Sequence, residues 1–358
     1  MKIIEFGSEF DWDSNLPFVA KGSAPYFTED GLTKYRSGRD ALKAVAQAYQ
    51  HQTKTVLLPA LCCESMVSPF VLNGYTPIFY KMESDYTANV ADVEKKLEKN
   101  CLFLYMSYFG VVPFTGKQLK LWKEKYHCVF IEDKTQNALH ETGSKDYAPD
   151  VTVTSIRKWL AIPDGGLLWS KVSGIKNGGK EEVFEQVRLA AMRKKSAYLA
   201  TGEGELKTEY REMLQFAAEA LDKAADPYAI SSFSEEILNE IDFKSILRIR
   251  QENVEVLKAA LDTLRSQGTL AYITECPKAS TLYFPILVKD RDRLQKYLAE
   301  RNIYCPVIWP IPEESKGICE VAEYTALHML ALPCDQRYTT QDMRYIASVV
   351  TEALQNVN

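Results

Sequence analysis

From Thr55 to Trp169 the chain repeats one pattern, a short apolar run followed by a longer polar stretch with helical spacing. The runs are TVLLP from Thr55, PIFY from Pro77, CLFLYM from Cys101, CVFI from Cys128, VTVT from Val151 and GLLW from Gly166. The clearest intervening helix is ADVEKKLEKN, where Val93 and Leu97 share a face and the opposite face is charged. Short continuous apolar runs read as strands buried on both faces, and strands that take turns with helices build a mostly parallel sheet. The expectation is an α/β domain whose strand ends carry the site, because ligands bind at the carboxyl ends of such strands.

Near Lys180 the pattern changes to long amphipathic stretches. Ile246, Ile249, Val254, Leu257, Leu261 and Leu264 keep helical spacing, as do Met343, Ile346, Val350 and Leu354. Between them LAYIT, STLYFPILV and NIYCPVIWPIP are strand-like and punctuated by proline. This predicts a smaller α+β C-terminal domain, with a large domain over 1–230 and a small one over 231–358. A chain of 358 residues is long enough for both. The stretch from Ser170 to Gly179 reads as a solvated loop.

Composition narrows the function classes. A net charge of −5 offers no basic footprint for nucleic acid. No run of 18 apolar residues is present, so no membrane span is expected. The start, MKIIEFGSEFDWDS, lacks the apolar stretch of a signal peptide. The eight cysteines are scattered without metal-ligand spacing, which points to a cytoplasmic protein with reduced thiols and no metal.

The segment from Cys128 to Ser170 carries the chemistry. The run CVFI delivers Asp133 just past its end, and VTVT leads into Ser155, Arg157 and Lys158, followed by Gly165 and Gly166. An acid and a lysine, each just past a buried strand, suit pyridoxal phosphate: the lysine for a Schiff base, the carboxylate for the pyridinium nitrogen. Upstream, SGRDALKAVAQAY from Ser37 reads as a capped helix whose free N–H groups form a phosphate site, with Arg39 adding a contact.

Taken together these motifs resemble the DegT/StrS-type aminotransferases, within the aspartate-aminotransferase fold group (the type I fold of pyridoxal-phosphate transferases). SGRDAL is similar to the family's phosphate turn, and VLLPALCC to its strand-plus-proline segment. NGYTPIFY resembles its G-x-x-P strand and IEDKTQ its E-D-x-x-Q signature. SIRKW followed by PDGGLL resembles the lysine segment and its Gly-Gly strand, and CPVIWPIP and LALPCDQRYTTQDM resemble two C-terminal segments. The resemblance implies that Lys158 holds the cofactor and moves the proton, Asp133 faces the ring nitrogen and Gln136 the ring hydroxyl. Ser155 and the Gly38–Arg39–Asp40 backbone would hold the phosphate. It also implies a homodimer that passes an amino group from glutamate to a keto sugar nucleotide by a ping-pong mechanism.

The chain departs from the family pattern in three places. Cys63 stands where many relatives place an aromatic over the ring, which nominates Tyr108 for that face. The partner-subunit asparagine loop is missing from PYAISSFSEEILNEIDF, leaving Ser231 or Ser232 as substitutes. Ser155 also precedes the lysine more closely than in many relatives, which suggests a divergent branch. His51, His127 and His140 read as surface residues, His328 as lining the inter-domain core, and Trp309 as either facing substrate or packing at a domain edge. Two other readings stand beside the aminotransferase: a regulatory protein that binds the cofactor without turnover, and a lyase or dehydratase, against which Lys158 argues.

Overall fold

The computed structural model describes residues 3–20, 27, 31–139, 147–273 and 282–355. In chain order its strands are β1 (Phe6–Gly7), β2 (Leu32–Tyr35), β3 (Thr55–Pro59), β4 (Thr76–Tyr80), β5 (Leu102–Met106), β6 (Val129–Asp133), β7 (Val151–Thr154), β8 (Gly166–Ser170), β9 (Leu270–Tyr272), β10 (Phe284–Val288), β11 (Ile303–Tyr304) and β12 (Met329–Leu332). The helices are α1 (Gly38–Tyr49), α2 (Glu64–Val71), α3 (Val90–Lys96), α4 (Gly116–Tyr126), α5 (Val183–Thr201), α6 (Gly204–Lys223), α7 (Ser232–Glu240), α8 (Phe243–Ser266), α9 (Arg291–Ala299), α10 (Glu320–His328) and α11 (Thr340–Gln355).

All six apolar runs form strands of one seven-stranded sheet, ordered β2-β8-β7-β6-β5-β3-β4. The pairs from β4 through β3, β5 and β6 to β7 are parallel, while β8 runs antiparallel to both β7 and β2. The interior strand β5 is buried along its whole length, which is why LFLYM shows no alternation. The seventh strand, β2, was not evident in the sequence. Its LTKY is half-buried and polar, and it pairs with β8, Leu32 opposite Trp169 and Tyr35 opposite Gly166, and bridges Ala229 on its other side. The sheet packs on α1, α2 and neighbouring elements through residues such as Val45, Leu57, Phe70, Phe103 and Trp122. Ile156, Trp159, Leu160 and Leu167 form a second cluster with Phe243 and Ile246 of α8.

The C-terminal part holds a separate three-stranded antiparallel sheet, β12-β10-β9, under α8, α9 and α11. Leu257, Leu261 and Leu264 meet Ile346 and Val350 there, so the helical spacing seen in the sequence is the packed face. The N-terminal segment crosses to this part: β1 pairs in parallel with β11, Phe6 opposite Ile303. Following β8 in the chain, α5 and α6 form an antiparallel helical hairpin, with Gly202 in the left-handed conformation ending α5. No described helix is long and apolar enough to cross a membrane.

Candidate active site

Strand β6 ends in Asp133 and the chain turns at once into a 3-10 turn, Thr135–Asn137. Beside it β7 ends at Thr154, and a second 3-10 turn, Ile156–Lys158, follows Ser155. Parallel register sets Asp133 opposite Val153, so both turns leave the same edge of the sheet. Hydrogen bonds join them. Thr135 Oγ1 accepts from the Ser155 amide at 3.0 Å, the Lys134 amide donates to the Val153 carbonyl at 2.8 Å, and the Trp159 indole donates to the Thr135 carbonyl at 2.9 Å.

Lys158 is half-buried, and Cys63, Arg157, Asp133 and Arg39 lie close enough for their charges to act on it. Burial pushes its ammonium below the ordinary lysine value; Cys63 and Asp133 pull it back, and the two arginines push it further down. Asp133 is 7% exposed. Burial raises its carboxyl, opposed by Thr135, whose amide donates to Oδ1 at 2.8 Å, and by Lys158. Both shifts favour the neutral forms, so loss of water outweighs the attraction between the two groups. An amine that gives up its proton readily is what a nucleophile or base requires.

The third component is the start of α1. Ser37 Oγ accepts from the Asp40 amide at 3.1 Å and donates to Asp40 Oδ2 at 2.5 Å. Arg36 grips the same carboxylate through Nε and Nη2, each at 3.0 Å. The amides of Gly38 and Arg39 have no hydrogen-bond partner among the described residues. A Cβ on Gly38 would stand 3.3 Å from Ser155 Cβ, and one on Gly166 would stand 2.2 Å from the Ser37 carbonyl carbon. Two free N–H groups at a helix start, beside a serine and with glycines permitting close approach, make a cradle for an anion.

Other expected residues serve different ends. The Arg39 guanidinium pairs with Asp222 of α6 at 2.5 Å, which leaves its amide for the cradle. The Asp40 amide is taken by Ser37 and its side chain by Arg36, so Asp40 builds the helix start from behind. Cys63 is half-buried at the start of α2, its Sγ 2.8 Å from Ser65 Oγ. Gln136 is buried on the 3-10 turn after Asp133. Tyr108 has 0% exposure: its hydroxyl donates to the Leu61 carbonyl, and its ring meets Tyr86 and Trp309 at 6.4 and 6.5 Å. Its hydroxyl thereby supports the loop that carries Cys63.

Ser231 caps α7 and holds Asp164 of its own chain through Oγ at 2.8 Å and the amide at 2.9 Å; Ser232 opens that helix. Trp309 is half-buried against the core of the large sheet. His328 lies at the end of α10, stacked on Tyr324 at 4.1 Å, and not in an inter-domain core. His51 and His127 are exposed, and His140 lies outside the described residues.

Arg250, Gln336 and Asn15 were not evident in the sequence. Arg250 and Gln336 donate to the Trp159 carbonyl at 3.4 and 2.8 Å, with the guanidinium 4.8 Å from the Trp159 ring centre. Asn15 exchanges two bonds with Ala161, at 2.9 and 3.0 Å. The lysine turn is thereby clamped from α8, from the segment after β12 and from the N-terminal segment. These contacts span 91 to 177 positions, and no local pattern signals them. Over the turn opens a cleft of about 990 Å³, floored in part by Arg157 and Lys158 and walled by Glu9, Lys207, Tyr283 and Tyr304.

No protein-family model matches the sequence, and no curated protein sequence matches it. Solved structures do match. A DegT/DnrJ/EryC1/StrS aminotransferase from Brucella abortus is 15% identical over 90% of this chain and 85% of its own, with a TM-score of 0.61. Spr1654 from Streptococcus pneumoniae, in its PLP form, is 12% identical over 100% of both chains, at 0.66. DesI, solved in the presence of its TDP-sugar product, is 14% identical over 91% of this chain and 81% of its own, at 0.64. The chain therefore has the fold of the DegT/DnrJ/EryC1/StrS aminotransferases.

Proposed function

We propose that the protein is a pyridoxal-phosphate-dependent aminotransferase that moves an amino group from glutamate to a keto sugar nucleotide. The observation that carries this reading is Lys158 on the cleft floor, its ammonium destabilised by burial, with the buried carboxylate of Asp133 beside it. The residues present fit the cofactor. The free amides of Gly38 and Arg39 and the Ser155 hydroxyl would bind its phosphate, Asp133 would keep a proton on its ring nitrogen, and Gln136 would donate to its ring hydroxyl. Cys63 would lie against the ring. When bound, the cofactor supplies an electron sink for the bond breaking at the donor Cα.

The chain's own work is to bind, orient and move protons. Lys158 Nζ, its ammonium destabilised by burial, takes the proton from the donor Cα and returns one as the donor leaves as a keto acid. With the keto sugar in place the same amine runs the transfer in reverse. Arg250, Gln336 and Asn15 fix the backbone just after this amine, at Trp159 and Ala161, so that its reach stays constant through both halves. The acceptor class is supported by the fold shared with DesI, whose structure was solved with its TDP-sugar product. A homodimer in the cytoplasm completes the reading. It is supported by large apolar side chains left exposed, among them Phe216 on α6 and Tyr324 and Leu327 on α10, and by cysteines free of disulfides among the described residues.

The test is incubation of the purified protein with pyridoxal phosphate, glutamate and a panel of keto sugar nucleotides, with products read by mass. The expected result is 2-oxoglutarate in equal amount to one aminated sugar nucleotide. Consumption of glutamate with no aminated member of the panel would refute the acceptor class, and no consumption of glutamate would refute the donor.

A further inference from the structure

The cleft contains a charge arrangement that the residues above do not use. Glu9 projects from the segment after β1, with its side chain 48% exposed, and pairs with Arg188 of α5 at 2.9 Å. Its backbone is pinned: Lys195 donates to the Glu9 carbonyl and, at 2.7 Å, to Ser8 Oγ, while Arg337 reaches the Glu9 carbonyl at 3.2 Å. The carboxylate is therefore the movable end of a fixed arm. Desolvation opposes its charge, but Arg188 first and Arg157 next hold its carboxyl down at about 2.

Arg157 lies in the cleft beside Lys158 and forms no ion pair among the described residues. Its Nε is buried without a hydrogen-bond partner, and so is the Nε of Arg188. Buried donors without acceptors are rare in folded proteins and call for an explanation. The other nearby acid, Asp164, is already engaged by Ser231. Arg188 thus holds the carboxylate directly, while Arg157 lines the same cleft as Glu9 with no acceptor of its own among the described residues. A guanidinium presents its donors in a planar fork matched to a carboxylate. The group that occupies the place is itself a glutamate side chain.

We propose that Arg157 and Arg188 form a recognition site for a carboxylate of the amino-acid donor, and that Glu9 is its resident occupant, displaced when the donor binds. The inference rests on the aminotransferase reading for the identity of the donor. A carboxylate seated on Arg157 brings the attached amine toward Lys158, the next residue in the chain. Glu9 neutralises Arg188 when no donor is present and sets a threshold that the donor must exceed, in the way any occupied state lowers apparent affinity.

The probe is glutarate, a dicarboxylate of glutamate's length with no amine, titrated calorimetrically into the protein with and without added pyridoxal phosphate. Wild type should bind it. Arg157→Gln should weaken it about tenfold or more, as expected for loss of a charge-assisted bond, and Glu9→Gln should strengthen it about threefold or more. Pyridoxal phosphate and UDP, titrated in parallel, should change less than about threefold in either variant. The proposal is overturned if wild type does not bind glutarate, if Arg157→Gln binds it like wild type, or if the loss falls on pyridoxal phosphate or UDP instead. Should Arg157→Gln fail to fold by circular dichroism, Glu9→Gln decides: unchanged or weaker glutarate binding overturns the competition. Failure of the cofactor to bind at all would count against the aminotransferase reading, while the cofactor-free titration still tests the carboxylate site.

Discussion

Asp133 and Lys158 each pay a desolvation cost, and the direction of both shifts, toward neutrality, suits a place built to receive a charged ring between them. If Asp133 keeps a proton on the ring nitrogen, Asp133→Ala should retain the fold and bind the cofactor but lower the transamination rate by roughly 10²–10³-fold, the usual loss when one preorganised electrostatic partner is removed. Rates like those of the parent would reduce Asp133 to an anchor for the Thr135 amide. A buried lysine away from the cleft floor gives a second residue-level test. Lys195 is 2% exposed, and burial, reinforced by Arg337 and opposed by Glu5, lowers its ammonium to about 8. The unfolded chain holds that proton up to about pH 10.4. Between these values the unfolded state binds more protons, so this group's contribution to stability rises with pH. Comparing wild type with Lys195→Met by urea unfolding from about pH 7.5 to 10.5, wild type should gain about 2–3 kcal/mol relative to the variant. Parallel curves would contradict a buried ammonium at this position.

Among the elements, the start of α1 depends on how closely β8 approaches it. Gly166 allows that approach, and Gly166→Ala would drive a Cβ into the Ser37 carbonyl, displacing the cap that sets the free amides. Weaker pyridoxal-phosphate binding, by about tenfold or more, is expected from a displaced helix start, with the chain still folded. Unchanged affinity in an equilibrium titration would remove the phosphate from this cradle. The elements that hold the site were largely legible in the sequence for a physical reason. Strands with buried faces must carry apolar runs, so β3 to β8 announce themselves, with the acid at the end of β6 and the lysine on the turn after β7. What stayed hidden depends on distant partners. The strand β2 is polar and pairs with β8, and Arg250 and Gln336 reach the Trp159 carbonyl across 91 and 177 positions. Tyr108 was legible as a tyrosine at a strand end, but the acceptor its hydroxyl finds at Leu61 was not, because that contact spans 47 positions.

As a whole molecule the chain joins its two sheets through the lysine turn and through the N-terminal segment, which pairs β1 with β11 and brings Glu9 into the cleft. Exposed Phe216, Tyr324 and Leu327 leave apolar surface uncovered in a single copy. A homodimer burying over ~2,000 Å² is expected, as obligate interfaces do. Light scattering at dilute concentration should give twice the chain mass, and a monomer that transaminates would contradict a shared site. Whether the molecule is a pyridoxal-phosphate aminotransferase at all is read most directly by reducing the cofactor-loaded protein with borohydride, digesting it and mapping the adduct by mass spectrometry. The predicted result is one cofactor-bearing peptide, modified at Lys158, whose yield falls when glutamate is added before the reductant. An adduct on another lysine, or none, would contradict it.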